Sequence, residues 1–166
     1  MTRIFLIGFM GSGKSTIGHL LQELLETEFV DTDQFVESQA GQSISDIFAA
    51  SGETHFRTLE TKALQAVTEG IVSTGGGIIE RQENIQIMKE RGKVVYLAAS
   101  YEEICRRLEG DETRPLWKRD AAAKKKLFHQ RQEIYEQAAD WTIYTDDKTA
   151  DAIALTIASY IKKINA

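Results

Sequence analysis

The sequence predicts an α/β fold in which a mainly parallel sheet is covered by helices on both faces. Three observations predict it. Short apolar runs alternate with longer segments whose apolar residues recur at helical spacing. The first run passes straight into a glycine-rich loop that opens a helix, as strand, loop and helix do in a βα unit. The length, 166 residues, lies in the ordinary one-domain range and can bury a core without metals or disulfides.

The elements follow in chain order. Arg3 to Ile7 is a short apolar run ending in Gly8, and Ile17, Leu20, Leu21, Leu24 and Leu25 then fall at helical steps. A second strand, Glu28 to Val30, ends at Asp31 and Asp33, with a helical segment expected around Phe35 to Phe48. A further helix over about Phe56 to Val67 puts Phe56, Leu59, Ala63, Leu64 and Val67 on one side. Ile71 to Ser73 reads as a buried strand stopped by Gly75, Gly76 and Gly77. Val94 to Leu97 reads as another, before a helix carrying Tyr101, Ile104, Cys105 and Leu108. From Gly110 to Asp120 the period lapses around the only proline, Pro115, and predicts a loop. A charged helix from about Ala121 to Ala138, a strand from Trp141 to Tyr144, and a helix with Ala150, Ile153, Ala154, Ile157, Ile161 and Ile164 in step complete the chain. In such a sheet, ligands are expected outside the carboxyl ends of the strands.

Composition narrows the function. A lone cysteine, Cys105, forms no intrachain disulfide, and no stretch approaches the roughly 20 apolar residues that span a bilayer. Ile4 to Ile7 is too short for the apolar region of a secretory leader, so a cytoplasmic protein is expected, with no membrane partner. A formal charge of −5 and a pI near 5.3 argue against a nucleic-acid partner, which calls for a basic face.

Gly8 to Ser15 fits G-x-x-x-x-G-K-[ST], the phosphate-binding P-loop, and it sits after a strand and at the start of a helix. Gly11, Ser12, Gly13, Lys14, Ser15 and Thr16 are the predicted nucleotide cradle. Backbone N–H groups and the positive end of the helix dipole suit phosphate oxygens. Lys14 is placed to reach the β- and γ-phosphates and the Ser15 hydroxyl to ligate Mg²⁺, so MgATP is the expected ligand. A GTPase would need an Asn-Lys-x-Asp guanine-reading segment. The two asparagines, Asn84 and Asn165, are not followed by lysine. A motor ATPase would need more chain than the sheet leaves over, and a kinase for a small metabolite remains. Asp31 and Asp33, at i and i+2 on a strand end, are expected to point the same way beside the cradle. One can hold a metal-bound water while the other orients an attacking hydroxyl and accepts its proton.

Taken together, Gly11-Ser12-Gly13-Lys14-Ser15-Thr16, Asp31-Thr32-Asp33, Phe56-Arg57 after Gly52-Glu53, the glycine triplet 75–77, Thr113-Arg114-Pro115-Leu116, and Arg131 four residues before Tyr135 resemble one family nearly end to end. They resemble the shikimate kinases, small members of the nucleoside-monophosphate-kinase-like P-loop group. The resemblance implies the P-loop NTP hydrolase fold: a three-layer α/β/α arrangement, a five-stranded parallel sheet and a mobile lid. One domain would span 1–166, with the lid at about 110–120 and a substrate-binding helical segment at about 34–62. The implied reaction is transfer of the ATP γ-phosphate to the 3-hydroxyl of shikimate.

By position, the resemblance makes Asp33 the residue on the shikimate hydroxyls and a catalytic residue with Lys14 and Arg114. Asp31 is left to the metal, through water. Arg57 and Arg131 would hold the carboxylate, for which a planar guanidinium fork is suited, and the Gly76 and Gly77 backbone would touch the substrate. Arg114, in the aperiodic loop, would bring a cation onto the transferring phosphoryl group, and Arg107 would lie against adenine.

Each has an ordinary alternative: Arg57 as a surface cation paired with Glu60 at i+3, Arg131 as a solvated residue of a charged helix, and Arg106 in place of Arg107. Phe48 and Phe56 fit either a substrate wall or the core. Trp117 and Lys148 depart from the usual family pattern and bear on the lid and the adenine contacts. Competing functions are a gluconate-type kinase and an idle nucleotide-binding module. A monomer is the default for a domain of this size.

Overall fold

The computed structural model describes residues 1–109 and 120–166, so the expected lid at about 110–120, with Arg114 and Trp117, lies almost wholly outside the described residues. Five strands form one parallel sheet in the order β2-β3-β1-β4-β5: β1 Arg3–Ile7, β2 Phe29–Asp31, β3 Ile71–Ser73, β4 Gly92–Ala98 and β5 Trp141–Tyr144. The helices are α1 Lys14–Leu25, α2 Thr32–Ala40, α3 Ile44–Ala66, α4 Gln82–Arg91, α5 Tyr101–Leu108, α6 Ala121–Ala138 and α7 Ala150–Ile164. A 3₁₀ turn covers Ile78–Glu80. No helix among the described residues is long and apolar enough to cross a membrane.

Strand side chains alternate between two apolar layers because successive Cβ atoms point to opposite faces. Phe5, Ile7, Val72, Val94 and Tyr96 pack with Leu64, Met88, Ile104, Phe128 and Tyr135 from α3 to α6. Ile4, Leu6, Ile71, Val95 and Leu97 pack with Ile17 and Leu21 of α1 and with Ile153, Ile157 and Ile161 of α7. The result is the expected three layers. At roughly 1.5–3 kcal/mol for each fully buried aliphatic side chain, these faces dominate the stabilisation. A third cluster, Val36, Ile47, Phe56 and Ala63, holds α2 against α3 at the end of the sheet where β1, β2 and β3 deliver their loops.

Three local features differ from the sequence expectation. The strand ends at Asp31, and Asp33 stands in the first turn of α2. The Asp31 carboxylate caps that helix, Oδ1 accepting the N–H of Asp33 at 2.9 Å and of Gln34 at 3.2 Å. The two acids are therefore related by a helix cap and not by strand alternation. Secondly, the expected helix over 35–48 is two helices, because Gly41 closes α2 in the left-handed region (φ 66°) and Ser43 caps α3 through the N–H of Asp46. The next helix begins earlier than expected, with α3 running from Ile44 through a break at Gly52. Finally, α4 has little apolar period, since Ile85, Met88 and the amide Asn84 are its buried residues. Hydrogen bonds from Thr61 to Asn84 (2.8 Å) and from Asn84 to the Ile78 carbonyl (2.9 Å) fix it.

Candidate active site

The central strand β1 has β3 on one side and β4 on the other, so the loop after it opens at the point where strand order reverses, the usual ligand position of such sheets. Gly13 precedes α1 with φ 97°, a conformation that glycine adopts without steric cost, and no side chain caps the helix. The first turn of α1 is thus left to the cavity of about 1010 Å³ that Gly11 to Thr16 line. Lys14 is buried beneath the loop, its Nζ donating to the carbonyls of Gly8 (2.8 Å) and Phe9 (3.1 Å). The Ser15 hydroxyl donates to Asp31 Oδ2 at 2.8 Å. One aspartate therefore serves two elements, capping α2 with one oxygen and meeting the cradle with the other.

The same cavity continues past Asp33 to the glycine triplet. Thr32, at the start of α2, accepts the Gly75 N–H through its hydroxyl at 3.1 Å, tying the triplet to the Asp-Thr-Asp segment. A Cβ placed on Gly75 would stand 2.6 Å from Asp33 Oδ1 and 2.7 Å from Glu60 Oε2, so both carboxyls converge there. A Cβ on Gly77 would overlap the Arg57 guanidinium, and close approach explains that glycine. Arg57 is 7% exposed and pairs with Glu60 at 2.6 Å and Glu53 at 3.1 Å. Arg131 is 2% exposed and pairs through Nε with Glu80 at 2.9 Å. Four residues on, the Tyr135 hydroxyl donates to the Gly76 carbonyl.

Electrostatics follow from that burial. Desolvation opposes the Arg57 charge, but the Glu60 carboxylate, with Glu53, outweighs it and raises the pKa. Burial pushes Glu60 up and outweighs the opposing pull of Arg57, and its Oε2 has no hydrogen-bond partner. Tyr96 is pushed up to about 12 by burial, and Tyr135 rises for the same reason, so both are neutral packing groups. At the cavity's outer end Arg107 Nη1 donates to the Gly11 carbonyl at 3.1 Å, and its Nε meets Glu103 at 2.9 Å. The hydrogen bond from Arg106, followed by that from Arg107, holds the Glu103 carboxyl down at about 2.

Every expected site residue within the described segments lines this cavity: Gly11 to Thr16, Asp31, Asp33, Arg57, Gly76, Gly77, Arg107 and Arg131. Arg114 lies outside the described residues. Arg57 keeps its Glu60 partner, but as a buried pair. Arg131 faces inward from its charged helix. Phe48 and Phe56 combine both alternatives, lining the cavity and packing together at 5.0 Å between ring centroids. Glu80 has no counterpart in the sequence reading, where Glu60 stands only as a surface partner of Arg57 and Thr32 and Tyr135 only as motif letters without a role. Their spacing from the motif residues was the available signal: Glu60 at i+3 from Arg57 and Tyr135 at i+4 from Arg131.

A strand-borne phosphate cradle and, in the same cleft, two buried arginines beside an aspartate define a P-loop protein of the small-molecule kinase type. A family model described as shikimate kinase matches residues 10–162. The shikimate kinase of Sulfurihydrogenibium sp. is 43% identical over 166 residues, 98% of this chain and 99% of that protein. That of Persephonella marina is 43% identical over 165 residues, 98% of this chain and 100% of its relative. Among solved structures, shikimate kinase from Acinetobacter baumannii in complex with shikimate superposes with a TM-score of 0.93 at 37% identity, over 98% of this chain and 94% of that one. The chain belongs to the shikimate kinase family.

Proposed function

We propose that this chain transfers the γ-phosphate of ATP to the 3-hydroxyl of shikimate, giving shikimate 3-phosphate and ADP on the chorismate route to aromatic amino acids. The observation that carries the reading is one cavity lined by the phosphate cradle, by Asp33, and by Arg57 and Arg131 around the glycine triplet. A triphosphate fits the cradle, and an acid bearing hydroxyl groups fits the other half.

In this reading the two guanidiniums bind the acceptor's carboxylate, and the Gly76 and Gly77 backbone lies against its ring. Asp33 orients the 3-hydroxyl and accepts its proton as the oxygen bonds to the γ-phosphorus and the bond to the ADP oxygen breaks. Lys14 leaves its loop carbonyls for the β- and γ-phosphates and stabilises the charge that develops. Arg114 belongs to the proposal as a further cation on the phosphoryl group, and Arg107 as the neighbour of adenine.

Magnesium suits the donors present. Ser15 and Asp31 offer hard oxygens 2.8 Å apart, and no group of three metal-ligating side chains occurs among the described residues, which matches an ion held chiefly by phosphates and water. Ser15 would bind it directly and Asp31 through water. When bound, the ion neutralises phosphate charge. We read residues 1–166 as one domain, a cytoplasmic monomer.

The test is ADP release from MgATP with shikimate, with gluconate and with neither. Shikimate-dependent release at millimolar acceptor is expected. Equal release in all three arms contradicts the reading, and release with gluconate alone moves the acceptor to another sugar acid.

A further inference from the structure

The two arginines of the acceptor half are braced differently. Arg57 is held by two carboxylates of its own helix, Glu53 and Glu60. Arg131 comes from α6 and is reached across the cavity floor by Glu80, on the 3₁₀ turn that ends the glycine segment. Backbone bonds from Ile78 N–H to the Gly75 carbonyl (3.1 Å) and from Glu80 N–H to the Gly77 carbonyl (3.0 Å) close that turn. One segment, 75–80, therefore carries both the glycine backbone and the carboxylate that meets Arg131.

We propose that Glu80 is a positioning residue for the acceptor, fixing the guanidinium plane of Arg131 through Nε so that its terminal fork faces the cavity. This rests on the reading of the cavity as a shikimate site. Glu80 accepts the Nε–H at 2.9 Å, which occupies the inner edge of the guanidinium. The opposite edge, Nη1 and Nη2, is the one that binds a carboxylate with two parallel hydrogen bonds. Nη1 lies 3.4 Å from the place a Cβ on Gly76 would take, so the tip of Arg131 abuts the glycine triplet. Arg131 lines the cavity and Glu80 does not. Besides Glu80, the guanidinium has the Phe9 ring 5.9 Å from its central carbon, a contact that permits sliding, and an uncharged hydrogen-bond partner in the Tyr135 hydroxyl, and Glu80 adds the charge-assisted hydrogen bond that opposes rotation of the plane. The Glu80 side chain is 38% exposed, which makes it replaceable without a buried void.

The test is steady-state kinetics of the wild type, Glu80→Ala and Glu80→Gln, each also in an Arg131→Lys background. Glu80→Ala should raise KM for shikimate about tenfold, the scale of one charge-assisted hydrogen bond, with kcat and KM for ATP within about twofold. Glu80→Gln should recover most of the loss, because its amide oxygen still accepts the Nε–H. Once Arg131→Lys has removed the fork, adding Glu80→Ala should change KM less than about twofold. An unchanged KM in Glu80→Ala, a proportional change in kcat and both KM values, or the same tenfold effect in the Arg131→Lys background would overturn the inference. A wild type without shikimate turnover overturns the underlying reading and this inference with it, whereas a normal wild type with a normal Glu80→Ala variant overturns the inference alone.

Discussion

Glu60 is wholly buried, touches Arg57, and converges with Asp33 above Gly75. Its carboxyl is raised above the usual 4.5 by burial. From about that pH upward the unfolded chain has released a proton that the folded protein still holds, so the Glu60 contribution favours folding at low pH and declines as pH rises towards the folded value. Glu60→Gln keeps the shape without the ionisation. The stability of wild type minus variant, from urea unfolding at roughly pH 5 and pH 8, should therefore fall with pH, and a constant difference would contradict the burial argument. For Asp33 the expectation concerns chemistry. Asp33→Asn should lower turnover by about 10²- to 10⁴-fold while ATP affinity stays within about twofold, by single-turnover kinetics and nucleotide titration. A large loss of ATP binding would place Asp33 at the nucleotide instead. The cradle residues were legible because their order along seven or eight positions is itself the mechanism. Arg57 and Arg131 were legible only through the resemblance, since their burial is produced by α2, the glycine segment and the 3₁₀ turn, none of which local spacing reveals.

At the scale of elements, function depends on how closely helix and loop approach. Gly77 has an ordinary φ of −93°, so Gly77→Ala adds no backbone strain and acts only by pressing a methyl into the Arg57 guanidinium. KM for the acceptor should rise by at least about tenfold with the melting temperature lowered only slightly, since the change displaces the buried pair and removes nothing from the core. Unchanged KM would mean that Arg57 sits elsewhere when the acceptor binds. The strands and α1, α5 and α7 were readable from apolar period, and α6 as a charged helical segment between two of them. The Asp31 cap was not, because the same Asp-Thr-Asp letters suit a strand end as well as a helix start. Nor was α4, whose inner face uses an asparagine hydrogen-bonded to Thr61 and to the Ile78 carbonyl where a pattern search expects an apolar residue.

Across the whole molecule, the sheet sets the division of labour. Two apolar layers hold β1 rigidly in the middle, and the loops at the carboxyl ends of β1, β2 and β3 supply the cradle, the Asp31-to-Asp33 corner and the glycine triplet. The third, smaller cluster carries Phe56 beside Arg57, so the Arg57 side of the cavity rests on the α2 and α3 pair while the 11–16 loop rests on the sheet. That arrangement leads to one geometric claim: nucleotide and acceptor share a cavity with the transferred group between Lys14 and Asp33. A crystal structure of the ternary complex with ADP and shikimate tests it most directly. ADP phosphates are expected on the 11–16 loop, the shikimate carboxylate on Arg57 and Arg131, and the 3-hydroxyl at Asp33. A carboxylate bound away from both arginines, or a 3-hydroxyl facing away from the cradle, would contradict it.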